Sequence, residues 1–530
     1  MIRVTGIKIR VEESGTDLRA ALARYLRLNP EDVVSVEIVR RSLDARKKSQ
    51  FYFVYTVKAV LKGSAESHPS ISKNPSVGPV EESPEPAPAR LETPPSPRPV
   101  VVGMGPAGLF SALTLARAGA APLVIERGRE VEKRVKDVGR FWETGVLDTG
   151  SNVQFGEGGA GTFSDGKLTT RIDDQRVRDV LKTLVGLGAP EEIMYSAKPH
   201  VGTDRLRAVI RRFRNLLVEL GAEVRFGAAV TGISTKGGRL SGLDVGGERV
   251  EAGHAVLAPG NAARDTFRML VDAGVAVMPK PFAAGVRIEH PRELIDRIQY
   301  GRYSGHPALG PADYMLTYQD KVSGRAVYSF CMCPGGHVVA AASEQDGVVV
   351  NGMSYYKRDA ACSNSALVVS VGLDDFAPGP MGGVEFQERW ERAAFKLGGG
   401  GHIAPAQDLE SFISGRAGGN LSGATYRPGV AGADLGLCMP DGFPDVMRSA
   451  VEHFDGMMNG FKYPRAVLTG VETRTSSPVR IVRGDDFQSV TMPGLFPCGE
   501  GSGYAGGIVS SAVDGIKAAE KLIEKLHAKL

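Results

Sequence analysis

Two cysteines separated by a single residue, Cys331 and Cys333, stand directly before Pro334-Gly335-Gly336-His337. Thiols so spaced can cycle between dithiol and disulfide, or one can act as a nucleophile with His337 as its base. The one-residue gap differs from the Cys-x-x-Cys of common disulfide reductases and makes disulfide geometry harder to satisfy. A metal site needs further ligands at suitable spacing, and none are evident. The structural alternative is a pair of small buried residues on a strand before a turn. Arg287 and His290 are further candidates, for holding an anionic substrate group, and Arg416, Tyr426 and Arg427 lie among glycines that could line a pocket.

A glycine cluster supplies a second kind of chemistry. The apolar run Val100-Val101-Val102 leads directly into Gly103-Met104-Gly105-Pro106-Ala107-Gly108. A helix is expected from about Ala107 to Ala118, then a strand from Pro122 to Ile125, ending at Glu126 and Arg127. Gly103 permits a tight turn, Gly105 lets backbone approach a pyrophosphate, and Gly108 permits close packing of helix on strand. The helix N-terminus, opening at Pro106 and Ala107, presents free N–H groups and the positive end of its dipole to phosphate. Glu126 stands where a carboxylate can accept hydrogen bonds from ribose hydroxyls. This spacing indicates a dinucleotide and leaves NAD and FAD both open.

The C-terminus separates the two. Leu495-Phe496 meets Gly499-Glu500, and Gly506-Gly507 opens a helix from about Ile508. This arrangement resembles the closing motif of flavoproteins of the glutathione-reductase-like superfamily. The resemblance implies that Glu500 contacts the ribityl–phosphate portion of FAD and that the helix N-terminus approaches the pyrimidine end of the ring. A helix N-terminus there would stabilise the negative charge of a reduced flavin. Between the two ends, residues 222–233 read as a strand whose end, near Val230, could pass over the adenine. The apolar strand ending Ala258-Pro259-Gly260 is similar to the superfamily's small-residue–glycine motif, with Pro259 a departure from it.

The polar, glycine-rich stretch 152–168 could wrap the ribityl chain and one ring face. Gly158, Gly159 and Gly161 would allow close backbone approach, and Lys167 is a candidate near the ring. Cys498 would also fall near it. Together with residues 278–290, 329–339 and 351–358 and the RRSLDARKK run at 40–48, this stretch resembles the bacterial family of NAD(FAD)-utilising dehydrogenases. The resemblance runs from the N-terminal unit to the closing motif. It implies FAD and redox chemistry and leaves the substrate unnamed. With one glycine fingerprint, any NAD(P)H donor would have to dock transiently.

The expected architecture is α/β: a Rossmann-type FAD-binding domain from residues 98–285 and 461–530, with an inserted α+β substrate or cap domain at 286–460. Residues 1–62 read as a small α/β domain: a strand at 7–11, a helix at 18–28 capped by Thr16 or Asp17, and strands at 33–40 and 51–61. It carries 13 Lys and Arg against 7 Asp and Glu, while the whole 530-residue chain carries a formal +4. Its basic cluster at Arg40, Arg41, Arg46, Lys47 and Lys48 has Phe51, Tyr52, Phe53 and Tyr55 nearby. That cluster could grip RNA phosphates, or could be a solvated hairpin tip beside ordinary strand packing. Residues 63–97 hold nine prolines in 35 positions and read as a linker.

Composition is that of a globular protein, with 42% hydrophobic and 23% charged residues. Five scattered cysteines suit a reducing compartment, and neither a signal peptide nor a membrane-spanning run is evident, so a cytoplasmic location is expected. The expected activity is hydride transfer between bound flavin and a small molecule. The alternatives are a flavoprotein acting on RNA through its basic domain, and a flavin sensor without catalysis.

Overall fold

The computed structural model describes residues 1–63, 71, 74–80 and 90–528. Its centre is a five-stranded parallel sheet, in the order Leu495–Pro497, Ala255–Leu257, Val100–Val102, Leu123–Ile125, Glu223–Arg225. Helices cover one face, so the middle strands carry apolar residues on both sides, and Val100–Val102 and Ala255–Leu257 are buried throughout. The chain leaves Val100–Val102 in one direction and returns on its other side through Ala255–Leu257. This reversal opens a crevice beyond the carboxyl ends of the two strands, where α/β sheets bind ligands.

Two helices pack on this sheet with almost no spacing. Pro106–Arg117 begins at Gly105, and Ile508–His527 crosses it where Gly515 lies against Ala107; a Cβ on Gly515 would come within 2.1 Å of the Ala107 oxygen. Both helices contribute to one apolar core with Leu109, Leu113, Ala512 and Leu522. Replacing Gly515 by valine would push the helices apart and open the cradle between them.

The second unit is a seven-stranded, mostly antiparallel sheet. Its centre is Phe282–Pro291 between Cys362–Val371 and Val467–Glu472, flanked by Ala326–Cys333 on one side and Ala404–Asp408 on the other. The helices Gly382–Leu397 and Phe443–Met457 add to its core. The expected boundaries at 285/286 and 460/461 therefore cut through this unit: its sheet runs from Phe282 to Glu472, because strands from both sides of the insertion pair at its centre.

The N-terminal unit is a sheet in the order Val33–Asp44, Tyr52–Leu61, Ile2–Arg10, Val77–Pro79, with the helix Leu18–Leu26 packed on it. Asp17 caps that helix by accepting from the Arg19 N–H at 3.0 Å. Most of the proline-rich segment lies outside the described residues; its described part at 77–79 adds the edge strand. The unit docks on the second one: Phe51 stacks on Tyr303 with ring centroids 4.5 Å apart, and Tyr303 Oη donates to Glu12 at 2.6 Å. Phe51, Phe53 and Tyr55 are buried in this packing, and Lys48 Nζ is held by the carbonyls of Ile298 and Gln299. Phe51, Phe53 and Tyr55 thus serve the interior, while the half-buried Tyr52 has Lys8 Nζ 5.6 Å from its ring.

No described helix is long and apolar enough to cross a membrane.

Candidate functional site

The crevice is a cavity of about 430 Å³ between the parallel sheet and the second unit. Gly103, Gly105, Pro106 and Ala107 form its floor at the opening of the first helix. Gly103 has φ 92°, and a Cβ there would meet the Ala258 oxygen at 2.2 Å, so the turn requires glycine. Gly105 is an extended N-cap with no side chain to bond the free N–H groups, which leaves them to a ligand. Gly108 does not line the cavity. A Cβ on it would reach the Gly103 oxygen at 1.9 Å, and its absence lets the helix start close to the strand.

Glu126 and Arg127 close one end of the cavity. The Glu126 carboxylate accepts from three backbone N–H groups: Met104 at 2.8 Å, Gly128 at 2.9 Å and Gly156 at 3.0 Å. Its expected role toward a ribose is therefore joined to a second: it ties the glycine turn to the loop at 156. Arg127 bonds Asp265 at 2.9 Å and lies over the Phe155 ring at 4.3 Å. Val230, Ala258 and Gly260 line the wall between.

Residues 152–167 wrap the cavity, held from behind by Arg134. This fully buried guanidinium donates to the carbonyls of Asn152 (2.8 Å), Val153 (2.9 Å), Gly156 (3.2 Å) and Glu157 (2.7 Å). Burial pulls its pKa down to about 10, with Glu126 and Glu157 opposing. Gly159 faces the cavity against Gly105. Gly158 does not; its N–H donates to Met104 O at 2.8 Å, and a Cβ there would strike Thr162.

At the far end Gly499, Glu500, Gly506, Gly507 and Ile508 line the cavity, with Cys498 beside them. The helix Ile508–His527 opens here without a side-chain cap. Glu500 accepts from Asn261 Nδ2 at 2.8 Å, and burial pushes its carboxyl up to about 7.

The roof comes from the second unit. Phe330, Cys331, Asn351, Glu472, Arg474 and Thr475 face the cavity, as do Asp165 and Lys167 from the wrapping loop. Arg287 is fully buried behind them. It pairs with Glu472 at 2.5 and 3.1 Å and donates to Cys331 O at 2.9 Å and Asn364 Oδ1 at 3.0 Å. Burial pushes Glu472 up to about 7 against the pull of Arg287. Lys167 Nζ donates to Met332 O, and the nearby thiols and Asp165 raise its pKa although burial opposes its charge.

Cys331, Cys333 and Lys167 thus come together, and His337 does not join them. Its ring faces Tyr355 at 6.3 Å, and Arg427 is the charge that acts on it. The turn at Pro334–Gly336 carries the chain away, so Lys167 and Arg287, opposed by Asp165, are the charges acting on Cys331. His290 is buried against Phe461, bonding its carbonyl at 2.7 Å, with burial lowering its pKa to about 4. Tyr426 donates to His402 O at 2.9 Å in the core, and Arg416 is exposed beside Glu410. None of these, nor Arg427, lines the cavity.

Sequence reading missed Asn351, Glu472, Arg474, Thr475 and Asp165. Glu472 to Thr475 is a polar run directly after an apolar strand, a signal that could have drawn attention. No cluster of metal-ligating groups is present among the described residues.

The cavity fits FAD: it runs from an acid at one end, past an uncapped helix opening on glycine, to a second uncapped helix opening. Gly103 to Ala107 would hold the pyrophosphate, Glu126 a ribose, and Gly506 to Ile508 the ring.

The family that matches the second unit agrees with this. The family described as FAD-dependent protein, C-terminal domain-like, matches residues 281–475, close to the limits of the second sheet. A domain of unknown function matches residues 1–60. An uncharacterized protein of Clostridium beijerinckii is 45% identical over 534 residues, covering 99% of each chain. Among solved structures, CtdE in complex with FAD has 14% identity and a TM-score of 0.31, over 82% of this chain and 90% of that one. A geranylgeranyl bacteriochlorophyll reductase-like protein of Thermoplasma acidophilum has 13% identity and a TM-score of 0.36, over 81% and 79%. The chain belongs to the same family as the Clostridium beijerinckii protein, and its cofactor is FAD.

Proposed function

We propose that the protein is an FAD-dependent oxidoreductase acting on a small molecule held under the roof of the cavity. One observation carries this: the dinucleotide cradle and the polar roof residues Asn351, Glu472 and Arg474 line a single continuous cavity. When bound, FAD supplies two-electron transfer to or from the substrate. The chain's own groups do the rest. Gly103 to Ala107 and Glu126 bind and orient, and the loop at 152–167, pinned by Arg134 at residues 152–157, excludes water from the ring face.

Glu472 and Glu500 are cavity groups whose carboxyls titrate near neutrality, so either can hold or release a proton there. Arg474, held by Glu391 and Ser343, presents positive charge to an anionic group of the substrate. With one cradle for one dinucleotide, a nicotinamide donor would bind transiently. All five cysteines are free, which suits a reducing cytoplasm.

The test is anaerobic mixing of the purified yellow protein with NADH, NADPH and panels of small reductants. Bleaching of the flavin absorbance by at least one of them supports the reading. Flavin that stays oxidised with every donor, and reduced flavin that no acceptor reoxidises, would overturn it.

A further inference from the structure

We propose that Cys331 and Cys333 form a redox-active dithiol on the roof of the flavin cavity, with Cys331 as the thiol facing the ring and Cys333 as its resolving partner. This rests on the flavin reading above and deepens it.

The backbone makes the first argument. Ala326–Cys333 pairs regularly with Cys362–Val371 as far as Phe330, and the register then slips before Cys333. Cys331 takes up the slip with φ 43°, in the left-handed region that a non-glycine residue enters at a cost. Bulges of this kind re-aim a side chain, and strained residues persist where surrounding contacts hold them. Here two cations do the holding. Arg287 donates to Cys331 O at 2.9 Å, and Lys167 donates to Met332 O. Cys331 consequently lines the cavity, while Cys333 is fully buried behind it against Gly352.

The surroundings make the second argument. The Cys333 S–H donates to the Cys331 carbonyl oxygen at 3.3 Å, which folds the buried thiol back onto Cys331, and the two thiols act directly on each other. Cys333, then Lys167 and Arg287, hold Cys331 well below the ordinary thiol value despite burial, while Cys331 and burial push Cys333 up. The acids facing the pair are Asp165, Glu472 and Glu500; Asp165 is neutralised in part by Arg358, whose Nε donates at 2.9 Å, and Glu472 by Arg287. Two purely structural cysteines on a strand would require neither a left-handed residue nor two buried cations aimed at the carbonyls of Cys331 and Met332.

The chemistry balances without a further component. The Cys331 thiolate and the Cys333 thiol join in one S–S bond, and the Cys333 S–H bond breaks. The electron pair and that proton pass to an oxidised isoalloxazine, which becomes reduced and singly protonated. Run backward, the reduced ring reopens the disulfide, so the pair can hold two electrons between the flavin and a thiol or disulfide substrate.

The test uses full-length FAD-loaded protein, oxidised with diamide and freed of excess reagent. Peptide mapping should find Cys331 linked to Cys333. Anaerobic dithionite titration should consume two electron equivalents beyond those of the flavin, and Cys331→Ser and Cys333→Ser should each lose that excess. In the reduced protein, iodoacetamide should label Cys331 at neutral pH about tenfold faster than an ordinary thiol. Lys167→Met should move that labelling profile to higher pH. Uptake limited to the flavin in the wild type, or labelling of Cys331 that follows an ordinary thiol profile, would overturn the proposal. A protein that binds FAD and is reduced by a donor but shows no excess uptake defeats this inference alone; one that takes up no FAD defeats the proposed function.

Discussion

Replacing Glu391 by glutamine should loosen the joint between the two units. Glu391, on the helix Gly382–Leu397, is 1% exposed and lies between Arg264, also 1% exposed, and Arg474. Its carboxylate accepts from Arg264 at 2.6 and 2.9 Å, from Arg474 at 3.1 and 2.8 Å, and from Thr473 Oγ1 at 2.6 Å. Burial pushes this carboxyl up, yet Arg264 and then Arg474 outweigh it and hold the group at about 2, against 4.5 when free. A difference of that size corresponds to about 3 kcal/mol of stability. The folded value is the lower one, so this contribution is complete well above pH 4.5 and is lost as pH falls from there through 2. Glutamine keeps the shape and one acceptor but leaves two buried guanidinium groups, of which Arg264 still pairs with Glu344 at 2.7 Å and Arg474 loses the ion pair it makes among the described residues. Removing one partner of a buried cluster costs about 3–5 kcal/mol. Urea unfolding at pH 7, followed by circular dichroism, should place E391Q about 3 kcal/mol or more below wild type, with a shallower further loss on acidification. A variant within about 0.5 kcal/mol of wild type would refute the reasoning.

Gly159→Ala places a Cβ 2.9 Å from the Gly105 Cα on a backbone with φ 64°, so FAD affinity should fall by about tenfold in a fluorescence titration. Arg134→Met removes the shared donor of four buried carbonyls of the wrapping loop, of which those of Gly156 and Glu157 keep a second donor, and limited proteolysis should cut near residues 152–157 in the variant while sparing wild type. Glu289 is 2% exposed, bonded to Thr425, and raised by burial to about 7. Because its folded value is the higher one, its contribution to wild-type stability should decline by about 3 kcal/mol between pH 4.5 and 7. Glu289→Gln should remove that share of the decline and leave the shares of Glu472 and Glu500, seen as a melting temperature that changes less from pH 5 to 8 than in wild type.

The cradle was legible because its signals are local. Val100–Val102, the glycine turn and the following helix are contiguous, and each glycine there answers to one steric demand. The closing helix at Ile508 was legible for the same reason. The roof was not, because its residues meet only through a sheet whose adjacent strands are distant in sequence: Asn351 and Glu472 converge on Arg287 from two different strands. A buried arginine such as Arg134 or Arg287 looks like any surface cation until its partners are known. His337 shows the converse error, since four residues of separation from Cys333 suggested contact and the intervening turn prevents it. The aromatic run at 51–55 alternates as a strand should, and its burial follows from that pattern; that Phe51 would find Tyr303 does not.

The parallel sheet is completed by Leu495–Pro497, which pairs beside Ala255–Leu257 almost at the end of the chain. During synthesis the glycine turn therefore leaves the ribosome long before the strand and helix that shut the other side. The N-terminal unit can fold early, whereas cofactor capture has to wait until the strand and helix at 495–527 have emerged. A product of premature termination would carry the nucleotide fingerprint intact and still be colourless.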